Sequence, residues 1–211
     1  MRWEHSDLRD RTAQRVGRQA TRRMSVITIS RQLGSLGDEV ANEVAARLGY
    51  RVVGRDLIYQ AARRAHTPEM ALEVIDELGL LGIAPSTEAE QAYNEAMRAV
   101  MLELAQTGDV VIVGRAGCVV LSDYPAALHV RVVAPPALRA HRVALEKGVG
   151  NAAALAQVEV SDRMRALYLR RFHEADWDNT ALFDLVVNTR RLSVDDAATL
   201  ICLAQRVRRE A

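Results

Sequence analysis

The stretch from Val26 to Gly49, VITISRQLGSLGDEVANEVAARLG, constrains the fold of this chain more than any other. The run SVITIS, Ser25 to Ser30, is β-branched and continuous enough for a strand buried on both faces. After a short loop, Val40, Val44 and Leu48 recur every four residues, giving a helix one apolar stripe, and Gly49 ends it. Strand, small loop and helix form the outline of a phosphate-binding loop. Gly34 and Gly37 allow the tight turn, Ser30 and Ser35 flank it, and the helix starting near Gly37 adds its positive end. Such a loop ordinarily carries a lysine and a Ser or Thr for the terminal phosphates and magnesium. With Gly37 as the last glycine, Asp38 stands at the lysine position and Glu39 at the hydroxyl position; shifting by one puts Gly37 in the lysine's place. Taken alone, the stretch also reads as a plain strand-to-helix turn with Asp38 and Glu39 as favourable first-turn acids.

The rest of the chain repeats the alternation. YRVVG is a short second strand, followed by a helix from Asp56 to Arg64. Thr67 to Pro85 reads as short helices interrupted by Gly79, Gly82 and Pro85. A longer helix opens at the TEAE capping box at Thr87 and places Tyr93, Met97, Val100, Met101 and Leu104 inward. DVVIVG and ALHVRVV are two more strands, an Arg-rich helix covers about 152 to 172, and FDLVVNT is the last strand. The final helix begins at Ser193 and is expected to bury Ala197, Leu200, Ile201, Ala204 and Val207. Five strands separated by helices predict an α/β fold, a five-stranded parallel sheet with helices on both faces. The organisation expected is a polar leader over residues 1–23, then one domain over 24–211. That domain carries a helical insertion at about 56–108 and a lid at about 139–172.

Composition narrows the function. Of 211 residues 49% are apolar but only 4% aromatic, so the core is built from aliphatic side chains, as buried parallel strands require. The net charge of +1 offers no general attraction to nucleic acid, and Glu4, Asp7 and Asp10 dilute the arginines of the leader, which argues against a nucleic-acid arm. No apolar run reaches the roughly 20 residues of a membrane span, and no signal core is present. Cys118 and Cys202 lack the spacing of a metal or redox pair, so a cytoplasmic location is expected, and no pattern predicts a protein metal site. His141 and His173 lack a paired ligand spacing too. Lys147 is the only lysine. Phosphate charge in a site must therefore be met by arginines, backbone amides, a metal ion or Lys147 itself.

In a parallel sheet, ligands gather at the carboxyl ends of the strands. The residues there are Ser30-Arg31, Arg55-Asp56, Gly114-Arg115 and Asn188-Thr189-Arg190-Arg191, an unusual concentration of arginine.

Taken together, ITISRQLGS, LGYRVVGRDLI, VIVGRAG, RAHR, SDRMR, DWDN and FDLVVNTRRLS resemble, in order, the motifs of the cytidylate kinase-like proteins, a branch of the P-loop nucleoside monophosphate kinases. The resemblance spans Ser25 to Arg206. It implies a nucleotide kinase that uses ATP and Mg2+ and binds small-molecule nucleotides, with CMP or dCMP as acceptor; it specifies no oligomeric state. Ser30, Gly34, Ser35 and Gly37 match the ATP phosphate loop, with Arg31 in the shared ISRQ segment. Arg55 and Asp56 match the acceptor region, and Arg115 in VGRAG matches the arginine of a DGRD motif that holds the acceptor's phosphate. Asp162 and Arg165 match an Asp-x-x-Arg pair used in cytosine nucleotide recognition. Arg139, Arg142 and Arg163 fall where catalytic lid arginines cluster.

The chain departs from the pattern at named positions. Where relatives commonly read GSGGRE it reads GSLGDE, so Leu36 and Asp38 replace a glycine and an arginine. Gly54 and Ala116 stand where acids are common. A leucine kept in a glycine conformation costs about 1 kcal/mol, and a carboxylate near phosphates repels them. Two functions are therefore expected: a nucleotide kinase, or a nucleotide-binding sensor or partner protein that has lost catalysis.

Overall fold

The computed structural model describes residues 25–66 and 87–210. The expectations for the leader and for Thr67 to Pro85 lie outside those residues, as does the completeness of the insertion. Strand β1 (Val26–Arg31) leads into α1 (Gly37–Leu48), β2 (Arg51–Val53) and α2 (Asp56–Ala65). Helix α3 (Thr87–Thr107) returns the chain to β3 (Val110–Val113), a short α4 (Gly117–Val120) and β4 (Ala127–Val133). Helices α5 (Pro136–Lys147) and α6 (Asn151–His173) follow, then a 3-10 turn, β5 (Leu185–Asn188) and α7 (Val194–Glu210).

All five strands are parallel in the order β2-β3-β1-β4-β5, so β1 is central and its carboxyl end lies between those of β3 and β4. Alternate strand residues feed two cores, as the twofold period of a strand demands. Val26, Val110, Ile112 and Ala127 pack with Leu57 of α2 and Tyr93, Met97 and Met101 of α3. Ile27, Ile29, Val111, Val113, Leu128 and Val130 pack on the other face with Val40 and Val44 of α1 and Ala197 and Ile201 of α7. Every inward residue expected of α3 is buried.

Helix α7 differs from expectation. It opens as expected at Ser193, whose hydroxyl and amide bond the Asp196 carboxylate while the Asp196 amide donates back. It buries Ala197 and Ile201 as expected, but also Ala198 and Gln205, and leaves Leu200 and Val207 at 42% and 60% exposure. Small residues let α7 lie close against α1, and the contact stripe follows Ala197, Ile201 and Gln205 at a four-residue step rather than the bulkiest side chains. Among the described residues no helix is long and apolar enough to cross a membrane.

One buried polar pair sits inside the sheet: His129 Nδ1 lies 2.7 Å from Thr28 Oγ1, across the β1–β4 ladder. Burial holds the imidazole below its ordinary 6.5, aided by Arg208 and opposed by Asp184 and a backbone bond at Leu121. The folded chain thus keeps His129 neutral while the unfolded chain takes up a proton near 6.5. Stability from this group is complete above that pH and declines as pH falls below it, and His173, also lowered by burial, acts in the same direction. Thermal unfolding followed by circular dichroism is expected to give a lower midpoint at pH 5.5 than at pH 7.5, with a shallower pH slope in His129→Gln.

Candidate active site

The loop between β1 and α1 is held from outside by donors that reach three successive carbonyls. Arg139 Nη1 donates to the Leu33 oxygen at 3.3 Å, Arg142 Nη1 to the Gly34 oxygen at 3.3 Å, and Thr189 Oγ1 to the Ser35 oxygen at 2.8 Å. The Ser35 amide closes a turn onto Gln32, and the Ser35 side chain is fully buried with its hydroxyl unpartnered. Gly34 (φ 73°) passes so close to α5 that a Cβ there would stand 2.6 Å from the Arg139 carbonyl oxygen, and a Cβ on Gly37 would collide with Arg31. Leu36 keeps the glycine-type conformation, at φ 64° and ψ 21°, directly before α1.

A second strained turn lies opposite. Gly114, Arg115 and Ala116 carry φ values of 77°, 53° and 54° in succession at the end of β3. The Gly114 amide donates to Ile29 of β1 and the Gly117 amide to Gly114, which fixes the turn beside the loop. Backbone strain of this kind costs about 1 kcal/mol or more per residue and persists where the surroundings over-determine it. Here it buries Arg115 to 6% exposure.

Between the loop, β2 and α6 lies a cleft of about 950 Å³. Its charged lining among the described residues is Arg31, Arg55, Arg115, Lys147 and Arg165, with Asp38 as the one carboxylate. Arg31, Arg115 and Arg165 also line a smaller recess beneath it, together with Ser30, Tyr168 and Trp177. Ser30 accepts a hydrogen bond from the Trp177 indole at 3.3 Å. Trp177 is buried against Tyr168 and Leu169, and Arg131 stacks on its ring at 4.4 Å while pairing with Asp178. Cys118 lies at the floor of the recess; burial pushes its thiol up to about 11, so it stays protonated at neutral pH.

The sequence-based candidates separate into two groups. Arg31, Arg55, Arg115 and Arg165 converge on the cleft, beside Gly54, whose amide is capped by the Asp56 carboxylate. Arg31 also pairs with Asp38 at 3.1 Å, so the acid at the lysine position is met by the arginine at the end of β1. The lid candidates do not line the cleft. Arg139 is buried and bidentate to Asp162 at 2.7 and 3.1 Å, with its Nε on the Ala134 carbonyl. Asp162 thus serves Arg139 of α5 through both carboxylate oxygens, while Arg165, three residues on along α6, lines the cleft. Arg142 bridges Gly34 and Thr189, and burial lowers its pKa against the opposing pull of Glu39. Arg163 is exposed on α6. Sequence reasoning did not single out Asn42, Gln157 or Ser161, which line the cleft, nor the role of Thr189. Only Thr189 carried a signal, its place just after a strand.

This sheet order, with a glycine loop after the central strand, defines a P-loop kinase fold. Shikimate kinase from Bacteroides thetaiotaomicron shares it with a TM-score of 0.51 at 14% identity, covering 87% of this chain and 99% of that one. An uncharacterized protein from Eubacterium ventriosum superposes with a TM-score of 0.67 at 22% identity over 86% of this chain and 98% of that one. The model of the cytidylate kinase-like family matches residues 26–191, and the chain belongs to that family. A cytidylate kinase from Pyrobaculum calidifontis is 30% identical over 177 residues, 84% of this chain and 90% of that protein.

Two stability outcomes follow. Leu36→Gly is expected to raise the unfolding free energy in urea by about 1 kcal/mol, since it relieves a left-handed leucine. Arg139→Ala is expected to lower it by roughly 3 kcal/mol, since Asp162 and the Leu33 and Ala134 carbonyls lose their donor together.

Proposed function

We propose that this protein is a nucleotide kinase that moves the γ-phosphoryl group of ATP to a pyrimidine nucleoside monophosphate, CMP or dCMP. The observation that carries the reading is the convergence of Arg115, set on a strained turn, with Arg31 and Arg165 on a cleft beside the braced loop. Family membership supports the nucleotide, and the cytidylate kinase relative supports the acceptor.

Phosphoryl transfer needs alignment and charge neutralisation more than covalent help. An acceptor monophosphate oxygen is already ionised at neutral pH, so it attacks the γ-phosphorus without a general base. The bond to the β–γ bridging oxygen breaks, and ADP leaves with that electron pair. In this reading Arg55 and Arg115 hold the acceptor phosphate, Arg165 and Arg31 face the transferring group, and Ser30, Gly34, Ser35 and Gly37 frame the ATP phosphates. The fit to ATP rests on the close glycine turn, the unpartnered Ser35 hydroxyl and the five cations of the cleft. Arg139, Arg142 and Asp162 act here by holding the loop and α6, and Asp56 by capping the Gly54 turn.

Among the described residues no three metal-ligating side chains cluster, which suits Mg2+, an ion that takes one or two carboxylates and otherwise phosphate oxygens and water. In this reading Asp38, the one carboxylate among the described residues lining the cleft, would hold it. When bound, the ion neutralises charge on the phosphate chain.

The Arg31–Asp38 pair favours a second reading, a nucleotide-binding protein without turnover, because it places a carboxylate where such loops carry a lysine. A coupled assay with ATP and Mg2+ against a panel of monophosphates separates the two. The kinase reading expects turnover of CMP or dCMP and a fall of about a hundredfold in Arg115→Ala. Nucleotide binding without transfer to any acceptor selects the second.

A further inference from the structure

We propose that Lys147, at the far end of α5, is the lysine of this site: its ammonium group binds the phosphate chain of ATP from the lid side, in place of the lysine the loop lacks. The proposal rests on the ATP-binding reading above but on neither its acceptor nor its turnover.

Position is the first argument. Arg139, Val143 and Lys147 recur at four-residue steps and so share one face of α5. That face lies against the phosphate loop: Arg139 holds the Leu33 carbonyl, and Val143 Cγ2 would be 3.0 Å from a Cβ on Gly34. Leu33 packs with Ala140 and Val143 in the same cluster. One turn further along, Lys147 reaches the cleft itself, which it lines together with Arg31 and Asp38.

Charge is the second. A triphosphate brings about four negative charges, while the cations nearest the loop are already engaged: Arg31 with Asp38, Arg139 with Asp162, and Arg142 with backbone oxygens. The Lys147 ammonium instead donates to the neutral Gln157 oxygen at 2.8 Å, so its charge is not cancelled by that partner. It has two further donors and a flexible stem, the properties of a point charge that follows a phosphate.

Freedom to approach is the third. Lys147 is exposed, and the next residues are Gly148-Val149-Gly150. Gly148 has φ 65°, and no atom lies within 4 Å of a Cβ placed on Gly148 or Gly150. The Gly148 and Val149 amides both donate to the Ala144 carbonyl, and the turn after Lys147 is open at both glycines. Arg55 follows β2 and Lys147 ends α5, and in this proposal the lysine addresses the ATP phosphates while the acceptor phosphate is left to the arginines.

The test is calorimetric titration of ATP with Mg2+ into the full-length chain and into Lys147→Met and Lys147→Arg, with KM for ATP and for CMP measured in parallel. Lys147→Met is expected to weaken ATP binding about tenfold or more, the worth of one charge-assisted hydrogen bond. Lys147→Arg is expected to restore it to within about threefold, with KM for CMP and the unfolding midpoint unchanged in both. The proposal is overturned if Lys147→Met binds ATP like the wild type, if the loss falls on CMP instead, or if Lys147→Arg is as weak as Lys147→Met. A wild-type chain that binds ATP but phosphorylates no acceptor sinks the transfer reading alone, because the titrations still report on Lys147. A wild-type chain that binds no ATP sinks both.

Discussion

Three consecutive backbone carbonyls, those of Leu33, Gly34 and Ser35, are held by Arg139, Arg142 and Thr189, and the geometry of the site depends on that brace. A tight loop between a strand and a helix leaves its carbonyls without ladder partners, and a buried polar group left so costs about 1–3 kcal/mol. Donors from α5 and from the end of β5 meet that need from one side. The same contacts fix α5 against the loop at a distance only a glycine at position 34 allows. Arg139 carries the brace onward through Asp162 to α6, the opposite wall of the cleft. Loop, helix pair and cleft therefore form one connected unit.

That arrangement changes what the arginines of this chain do. Long guanidinium side chains near a phosphate loop suggest contacts with phosphate, yet two of them serve backbone oxygens and a carboxylate. The cleft draws its positive charge from elsewhere: from the strand ends at Arg31, Arg55 and Arg115, from α6 at Arg165, and from the single lysine. Asp38 is the counterweight. Its pairing with Arg31 offsets the charge of that arginine at the mouth of the loop. Three of the six described non-glycine residues at positive φ lie here, Leu36 on one side and Arg115 and Ala116 on the other. Backbone held in this way sets side-chain direction without relying on mobile loops, which suits a reaction governed by alignment.

Much of the fold was legible in the chain. The β-branched runs of the three inner strands, β1, β3 and β4, are buried as they read, whereas Val52 and Val186 on the edge strands are exposed, and the alternation with helices of fourfold apolar spacing dictates a parallel sheet. The stripe Tyr93, Met97, Val100, Met101, Leu104 is buried as its spacing requires. The stripe of α7 is legible at Ala197 and Ile201 but not at Leu200 and Val207, which are large and apolar yet exposed, while Ala198 and Gln205 are buried in their stead. Size argues for burial only until close helix approach favours small side chains. At the site, the residues just after the strands came out as a group, since parallel topology alone brings strand ends together.

What the sequence determined by itself was the sheet, the loop with its missing lysine, and the arginines at the strand ends, all of which follow from local spacing and from chain direction. The tertiary structure alone decided which partner each long side chain takes. Arg139 found Asp162, Arg142 found Thr189, Arg31 found Asp38, and Lys147 came to line the cleft from a position 110 residues beyond Gly37. The reason is physical: a guanidinium or ammonium on a flexible stem can reach any acceptor within several ångströms. Its choice is set by the packing of α5 on the loop and on α6, contacts between segments far apart in the chain that no local pattern encodes.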